Sequence, residues 1–278
     1  MPFGEVVIAT GKTVGALGSL AKASPGVMRL VRRAVRRVTS GYAIIPIFGS
    51  GGVGKSTAAR IIAGELPDAA HKPYEESLWT EIVRLKGDIP GELRVAPGQK
   101  TRVDRHWPEL FKSLSAGRAL GLINVVSYGY HSFEIDSIQE SISYRPGMTN
   151  ADFLDAYSSD RRDLELELLE EVMSGLSATT SRIWIATIIN KQDLWRHKEQ
   201  EVIRHYRDGP YSKIIDKVAS RLGSRSFQHE YIPVSLAISN LISPSGEIVA
   251  PVVGGYDVYA RDKSLKELSS KLNLLVSQ

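Results

Sequence analysis

The chain has 278 residues, 42% hydrophobic and 24% charged, as expected of an ordinary soluble chain folding into one large domain or two small ones. It lacks cysteine, which excludes a disulfide framework and any thiolate metal site, and its six histidines include no HxxxH pair that would point to zinc. The net charge of +4 is uneven: up to Gly41, seven Lys and Arg oppose Glu5 alone, giving +6 and leaving about −2 for the rest, so the basic balance belongs to the N-terminal segment and no nucleic-acid partner is expected.

The start, MPFGEVVIATGKTVGALGSL, makes a poor signal peptide, with Glu5 where a basic region belongs and Lys12 interrupting the apolar part. Pro2 excludes a myristoylation start. No apolar stretch approaches the roughly eighteen residues of a membrane-spanning helix, so a cytoplasmic location is expected. Residues 26–38 place Val27, Leu30, Val31, Ala34, Val35 and Val38 at helical spacing, with Arg29, Arg32, Arg33, Arg36 and Arg37 on the other face. That pattern predicts a basic amphipathic helix. It suits packing on the neighbouring domain, attachment to an anionic membrane surface or docking on an acidic partner, and sequence alone leaves all three open. Residues 1–41 thus form an extension to a domain spanning 42–278.

From Tyr42 the pattern becomes α/β. AIIPIF (43–48) reads as a buried strand, followed by a Gly-rich turn and a short helix stopped near Pro67. EIVRL (81–85), a turn at KGDIPGE and LRVAP (93–97) read as a β-hairpin. GLINVVSY (121–128) and RIWIATIIN (182–190) suit central strands. Between them lies the helix RRDLELELLEEVMSGL, with Leu164, Leu168, Val172 and Leu176 on one face. A last strand, EYIPVS (230–235), precedes a closing helix predicted to start at a Ser264–Glu267 capping box and to bury Leu265, Leu268, Leu272 and Leu275. This order predicts a mostly parallel sheet with helices on both faces and one hairpin. Two stretches, near 129–160 and 237–262, exceed ordinary loop lengths and read as insertions.

Gly49-Ser50-Gly51-Gly52-Val53-Gly54-Lys55-Ser56 satisfies GxxxxGK[ST] between a strand and a helix, followed by Thr57. Glycines let the backbone turn its N–H groups around phosphates, and the helix start adds its positive end. Lys55 is expected at the β- and γ-phosphates and Ser56 on Mg²⁺. Downstream, RIWIATIIN runs into Asn190-Lys191-Gln192-Asp193 at a strand's carboxyl end, the edge where ligands sit in open α/β sheets. Asp193 can accept from guanine N1–H and N2; adenine would leave that carboxylate unpaired, at a cost of about 1–3 kcal/mol or more. A third piece, Val234-Ser235-Leu236-Ala237, follows at the next strand's end.

The set GSGGVGKST, VAPGQ, NKQD and VSLA, in this order, resembles a Ras-like small GTPase domain, and VAPGQKTRVDRHWPELF resembles the second switch of the Arf and Sar branch and of bacterial relatives. The resemblance implies a P-loop NTPase fold, a GTP/GDP switch with Mg²⁺, and a protein effector or activator. It implies that Asn190 supports the base, Lys191 lays its stem over it, and the Ser235, Leu236 and Ala237 backbone approaches the guanine oxygen. In the family pattern DxxGQ the Asp supports Mg²⁺, the Gly senses the γ-phosphate and the Gln orients water. Here Gly98 and Gln99 match, while Val95 stands in place of the Asp. Gln99 and Lys55 are then the expected catalytic residues, and Ser56 with Thr80, as first-switch Thr, the metal ligands. Trp107 reads as a packing residue, and Arg102 and Arg105 as solvated charges, with a cis arginine finger the alternative. Slow hydrolysis is expected. Two rivals stand: a non-catalytic GTP/GDP-binding scaffold, and an ATP-dependent P-loop enzyme with a fortuitous NKQD.

Overall fold

In the computed structural model, residues 43–71, 80–85, 91–98, 121–135, 137–176, 183–223 and 226–277 are described. The N-terminal extension with its expected basic helix, the hairpin turn at 86–90 and residues 99–120 lie outside the described residues.

Six strands form one sheet: β1 (Ala43–Phe48), β2 (Glu81–Leu85), β3 (Gly91–Val95), β4 (Gly121–Val126), β5 (Ile183–Ile189) and β6 (Phe227–Pro233), in the order β2-β3-β1-β4-β5-β6. Only the β2–β3 pair is antiparallel; β1–β3, β1–β4, β4–β5 and β5–β6 run parallel. The parallel strands are near-continuous apolar runs because both faces are covered. On β5, Ile183, Ile185 and Ile189 join one buried cluster, while Trp184, Ala186 and Ile188 join the other.

The first cluster is closed by α3 (Asn150–Gly175), α5 (Glu199–Asp208) and α6 (Pro210–Leu222). The second is closed by α1 (Lys55–Ile62) and the C-terminal α7 (Val258–Ser277). Two one-turn helices, α2 (Pro67–Ala70) and α4 (Gln192–Trp195), and the small hairpin of β7 (Leu241–Ile242) and β8 (Ile248–Ala250) complete the chain. The doubly covered, mostly parallel sheet with one hairpin is the expected α/β architecture.

Several boundaries differ from expectation. β3 runs from Gly91 to Val95, two residues before LRVAP at each end, because Gly91 already pairs with both Ala43 and Leu85. α3 begins at Asn150 and so takes up the end of the expected 129–160 insertion. Its start is a capping box, in which the Thr149 side chain accepts from the Asp152 amide and the Asp152 carboxylate accepts from the Thr149 amide. The 237–262 stretch holds the β7–β8 hairpin and the first turn of α7. The Ser264–Glu267 capping box is therefore overturned: α7 starts at Val258, and Ser264 lies within it, its hydroxyl donating to the Arg261 carbonyl at 2.7 Å. Leu268, Leu272 and Leu275 are buried as expected, with Leu265 half-buried beside them.

Candidate functional site

The parallel register gathers the predicted site residues at the carboxyl edge of the sheet. β1 leads into 49–54, β3 into Gly98, β4 into 127–135, β5 into Asn190-Lys191 and β6 into 234–237. β2 runs the other way, so its start lies at the same edge: Glu81 is opposite Val95, with Thr80 just beyond.

The expected phosphate loop turns on Gly52 and Gly54, whose φ values of 70° and 97° lie in the region that side-chained residues avoid. α1 starts without a side-chain cap, leaving its first amides toward the loop. Lys55 is buried and donates to the Ser50 carbonyl at 2.8 Å. Burial lowers its ammonium to about 8, and the Glu134 carboxylate pulls it back up. Ser56 and Thr57 follow, half-buried on the first turn of α1.

Asn190 joins the two ends of the site. Its Nδ2 donates to the Val53 carbonyl at 2.8 Å, and its Oδ1 accepts from the Leu236 amide at 3.0 Å. Lys191 adopts a left-handed φ of 61° and sends Nζ to the Ser132 hydroxyl at 3.1 Å. Desolvation of that ammonium holds it down to about 8, although the residue as a whole is only half-buried. Asp193 is buried; Oδ1 accepts from the Ser235 hydroxyl at 2.8 Å and Oδ2 from the Ser239 amide at 3.0 Å. Burial raises its carboxyl above the ordinary value, opposed by those two hydrogen bonds. Val53, Asn190, Leu236, Ser235 and Asp193 are thus linked along one edge, with Lys55 and Ala237 adjoining it.

Val95 lies in the core cluster with Ile47, Val53 and Ile123. Its side chain is structural, and no carboxylate takes its place on β3. Thr80 is half-buried at the start of β2, a strand tied to α1 by the buried pair of Arg60 Nη2 and Glu81 Oε1 at 3.0 Å. Gln99, Arg102, Arg105 and Trp107 lie outside the described residues. No group of three His, Cys, Asp or Glu among the described residues could hold a metal ion. The expected metal ligands, Ser56 and Thr80, offer hydroxyl oxygens, the donor type that a hard cation takes.

The segment after β4 was missed by sequence reasoning. The Ser132 amide donates to the Gly52 carbonyl at 3.1 Å, so this segment lies along the phosphate loop. It is anchored beneath by Glu165 of α3, whose Oε1 accepts from the amides of Ser127 (2.9 Å) and Gly129 (3.3 Å) and from His131 Nε2 (2.8 Å). Its Oε2 accepts from the Tyr206 hydroxyl at 2.6 Å. His131 in turn lies 3.5 Å from the Ser50 hydroxyl. Burial alone would raise the Glu165 carboxyl, yet these hydrogen bonds hold it below its ordinary value. Burial holds His131 below its own, against the pull of Glu165. The one available signal was spacing: Glu165 stands three and seven residues before Leu168 and Val172, on the apolar side of its helix.

Neither a family model nor a curated protein sequence matches the chain. Its fold is similar to several solved structures. The mammalian SRP receptor matches at 14% identity with a TM-score of 0.46, covering 84% of this chain and 99% of that one. A signal recognition particle receptor SRb-GTP/SRX complex from Chaetomium thermophilum matches at 12% identity and 0.43, covering 82% and 97%. Toc33 from Arabidopsis thaliana in complex with Mg²⁺ and GMPPNP matches at 13% identity and 0.46, covering 94% of each chain. These are distant likenesses; the architecture above is read from this chain's own strand register.

Proposed function

We propose that this chain is a guanine-nucleotide switch that binds GTP and GDP with Mg²⁺ and hydrolyses GTP slowly. The observation that carries this reading is the Asn190 side chain, bonded at once to the phosphate loop at Val53 and to the base-side loop at Leu236, with the Asp193 carboxylate held beside it by Ser235 and Ser239. An NKxD fortuitously placed at a strand end has no reason to bridge both loops.

In this reading the amides of Gly49–Gly54 and the start of α1 take the phosphates, and Lys55 neutralises charge on their β- and γ-oxygens. Ser56 and Thr80 hold Mg²⁺, which screens the phosphate charge when bound. Asp193 pairs with the guanine edge, Lys191 covers the base, and the Ser235–Ala237 backbone approaches the guanine oxygen. Gly98 meets the terminal phosphate and Gln99 orients the attacking water. Val95 supplies no outer-sphere support for the metal; such losses commonly weaken metal affinity about 10- to 100-fold. This is the physical reason for slow intrinsic turnover and for an activating protein partner.

The buried Val95 also favours a second reading, a domain that holds GTP or GDP without hydrolysing it. Displacement of a fluorescent guanine nucleotide by GTP, GDP and ATP, with and without Mg²⁺, tests the shared part of both. Competition by guanine nucleotides alone is expected, strengthened by Mg²⁺. Equal competition by ATP would make this an adenine-tolerant P-loop protein and remove Asp193 from base reading. Phosphate release from bound GTP then separates switch from holder.

A further inference from the structure

The Gly51 Cα lies against the carboxylate of Glu134, so that a side-chain carbon added there would overlap that group. Gly98 closes on the same point: a Cβ on it would come within 2.5 Å of the Gly51 nitrogen and 2.7 Å of the Lys55 ammonium. On the reading above, Gly98 meets the terminal phosphate, Lys55 reaches the β- and γ-oxygens, and Gly51 belongs to the loop whose amides take the phosphates. An anion of this chain's own therefore stands where the γ-phosphate is to be received.

Its placement is built by the fold. Ser132 is fixed from two sides, its amide on the Gly52 carbonyl and its hydroxyl accepting from Lys191 Nζ. Phe133 is buried against Tyr157 and Phe153 of α3, with ring centroids 4.9 and 5.9 Å away. These contacts hold the backbone just before Glu134 and leave Glu134 itself half-buried, with its carboxylate against Gly51. A ligand that takes this place must displace the carboxylate, so the contact competes with it.

We propose that Glu134 is a specificity-determining residue that sets the preference of this site between nucleoside di- and triphosphates. This rests on the guanine-nucleotide reading and deepens it. A diphosphate occupies the inner part of the loop and leaves the Glu134 carboxylate beside Gly51. A triphosphate brings its γ-oxygens to the same place, so like charges meet in a partly desolvated cleft and the carboxylate must withdraw. The arrangement favours the diphosphate state until a partner draws Glu134 away.

The test is competitive displacement of a fluorescent GDP analogue by GDP and GTP, in Mg²⁺, on the full chain and on Glu134→Gln. The amide keeps the shape and removes the charge. We expect GTP affinity relative to GDP to rise about tenfold or more, from one like-charge contact relieved, with GDP affinity itself little changed. Glu134→Lys, which places a cation there, is expected to raise the ratio further. An unchanged ratio in both variants, or equal changes for the two nucleotides, overturns the proposal while the guanine reading stands. A wild-type chain that binds neither nucleotide overturns both.

Discussion

Asp193 shows how much chemistry one buried carboxylate carries. Each of its oxygens already accepts one hydrogen bond, from Ser235 and from the Ser239 amide, and each retains capacity for a second. Those remaining lone pairs are what a guanine N1–H and N2 amine would use. In Asp193→Asn the new amine must face Ser235, whose hydroxyl can turn to accept it, because the Ser239 amide can only donate. One acceptor for guanine becomes a donor that complements the C2 carbonyl of xanthine. GTP affinity is expected to fall about 100-fold or more while xanthosine triphosphate gains affinity, read by displacement on both proteins. If GTP binds the variant as well as the wild type, Asp193 does not read the base.

At the scale of elements, the segment after β4 and helix α3 act as one unit through Glu165. This unit gives the fold a definite pH dependence. His131 is held below the 6.5 of an ordinary histidine, so as pH falls the unfolded chain takes up that proton first and stability drops. The Glu165 carboxyl is held below its ordinary 4.5; its contribution is complete above that value and is lost as pH falls through the folded one. Both terms make stability rise with pH. His205 and His229 are depressed by burial as well and share the slope. The urea midpoint is expected to fall between pH 7.5 and 5.5, and His131→Gln to flatten that fall in part. A variant with the wild-type slope would clear His131 of any role in it. Beyond the spacing of Glu165 to Leu168 and Val172 little of this was legible beforehand, because Glu165 sits among LELELLEE and reads as one charge of a solvated face. The central strands were legible, since burial on both faces forces near-continuous apolar runs such as AIIPIF and IWIATII. The motifs at 49–56 and 190–193 stand out in the sequence because the chemistry expected of them needs fixed spacing, whereas Glu134 reaches Gly51 only through the fold.

For the whole molecule the charge is divided between two parts. Residues up to Gly41 carry +6 and the remainder about −2, so the body itself has no net attraction for an anionic surface. No helix among the described residues is long and apolar enough to cross a membrane. The sequence feature that suits attachment is residues 26–38, where helical spacing would set five arginines opposite a Val/Leu stripe. Each basic residue near an anionic leaflet contributes about 1 kcal/mol at moderate salt, so five suffice for reversible binding when an apolar face inserts beside them. Screening shortens that attraction to about 8 Å at physiological salt and to about 3 Å at 1 M. The full chain is expected to float with phosphatidylcholine vesicles only when phosphatidylserine is included, and to come off as salt is raised. A chain beginning at residue 42 should stay in solution under the same conditions. Equal flotation of the two would exclude the arginine face as an anchor and leave packing on the domain, or an acidic partner, as the use of those residues.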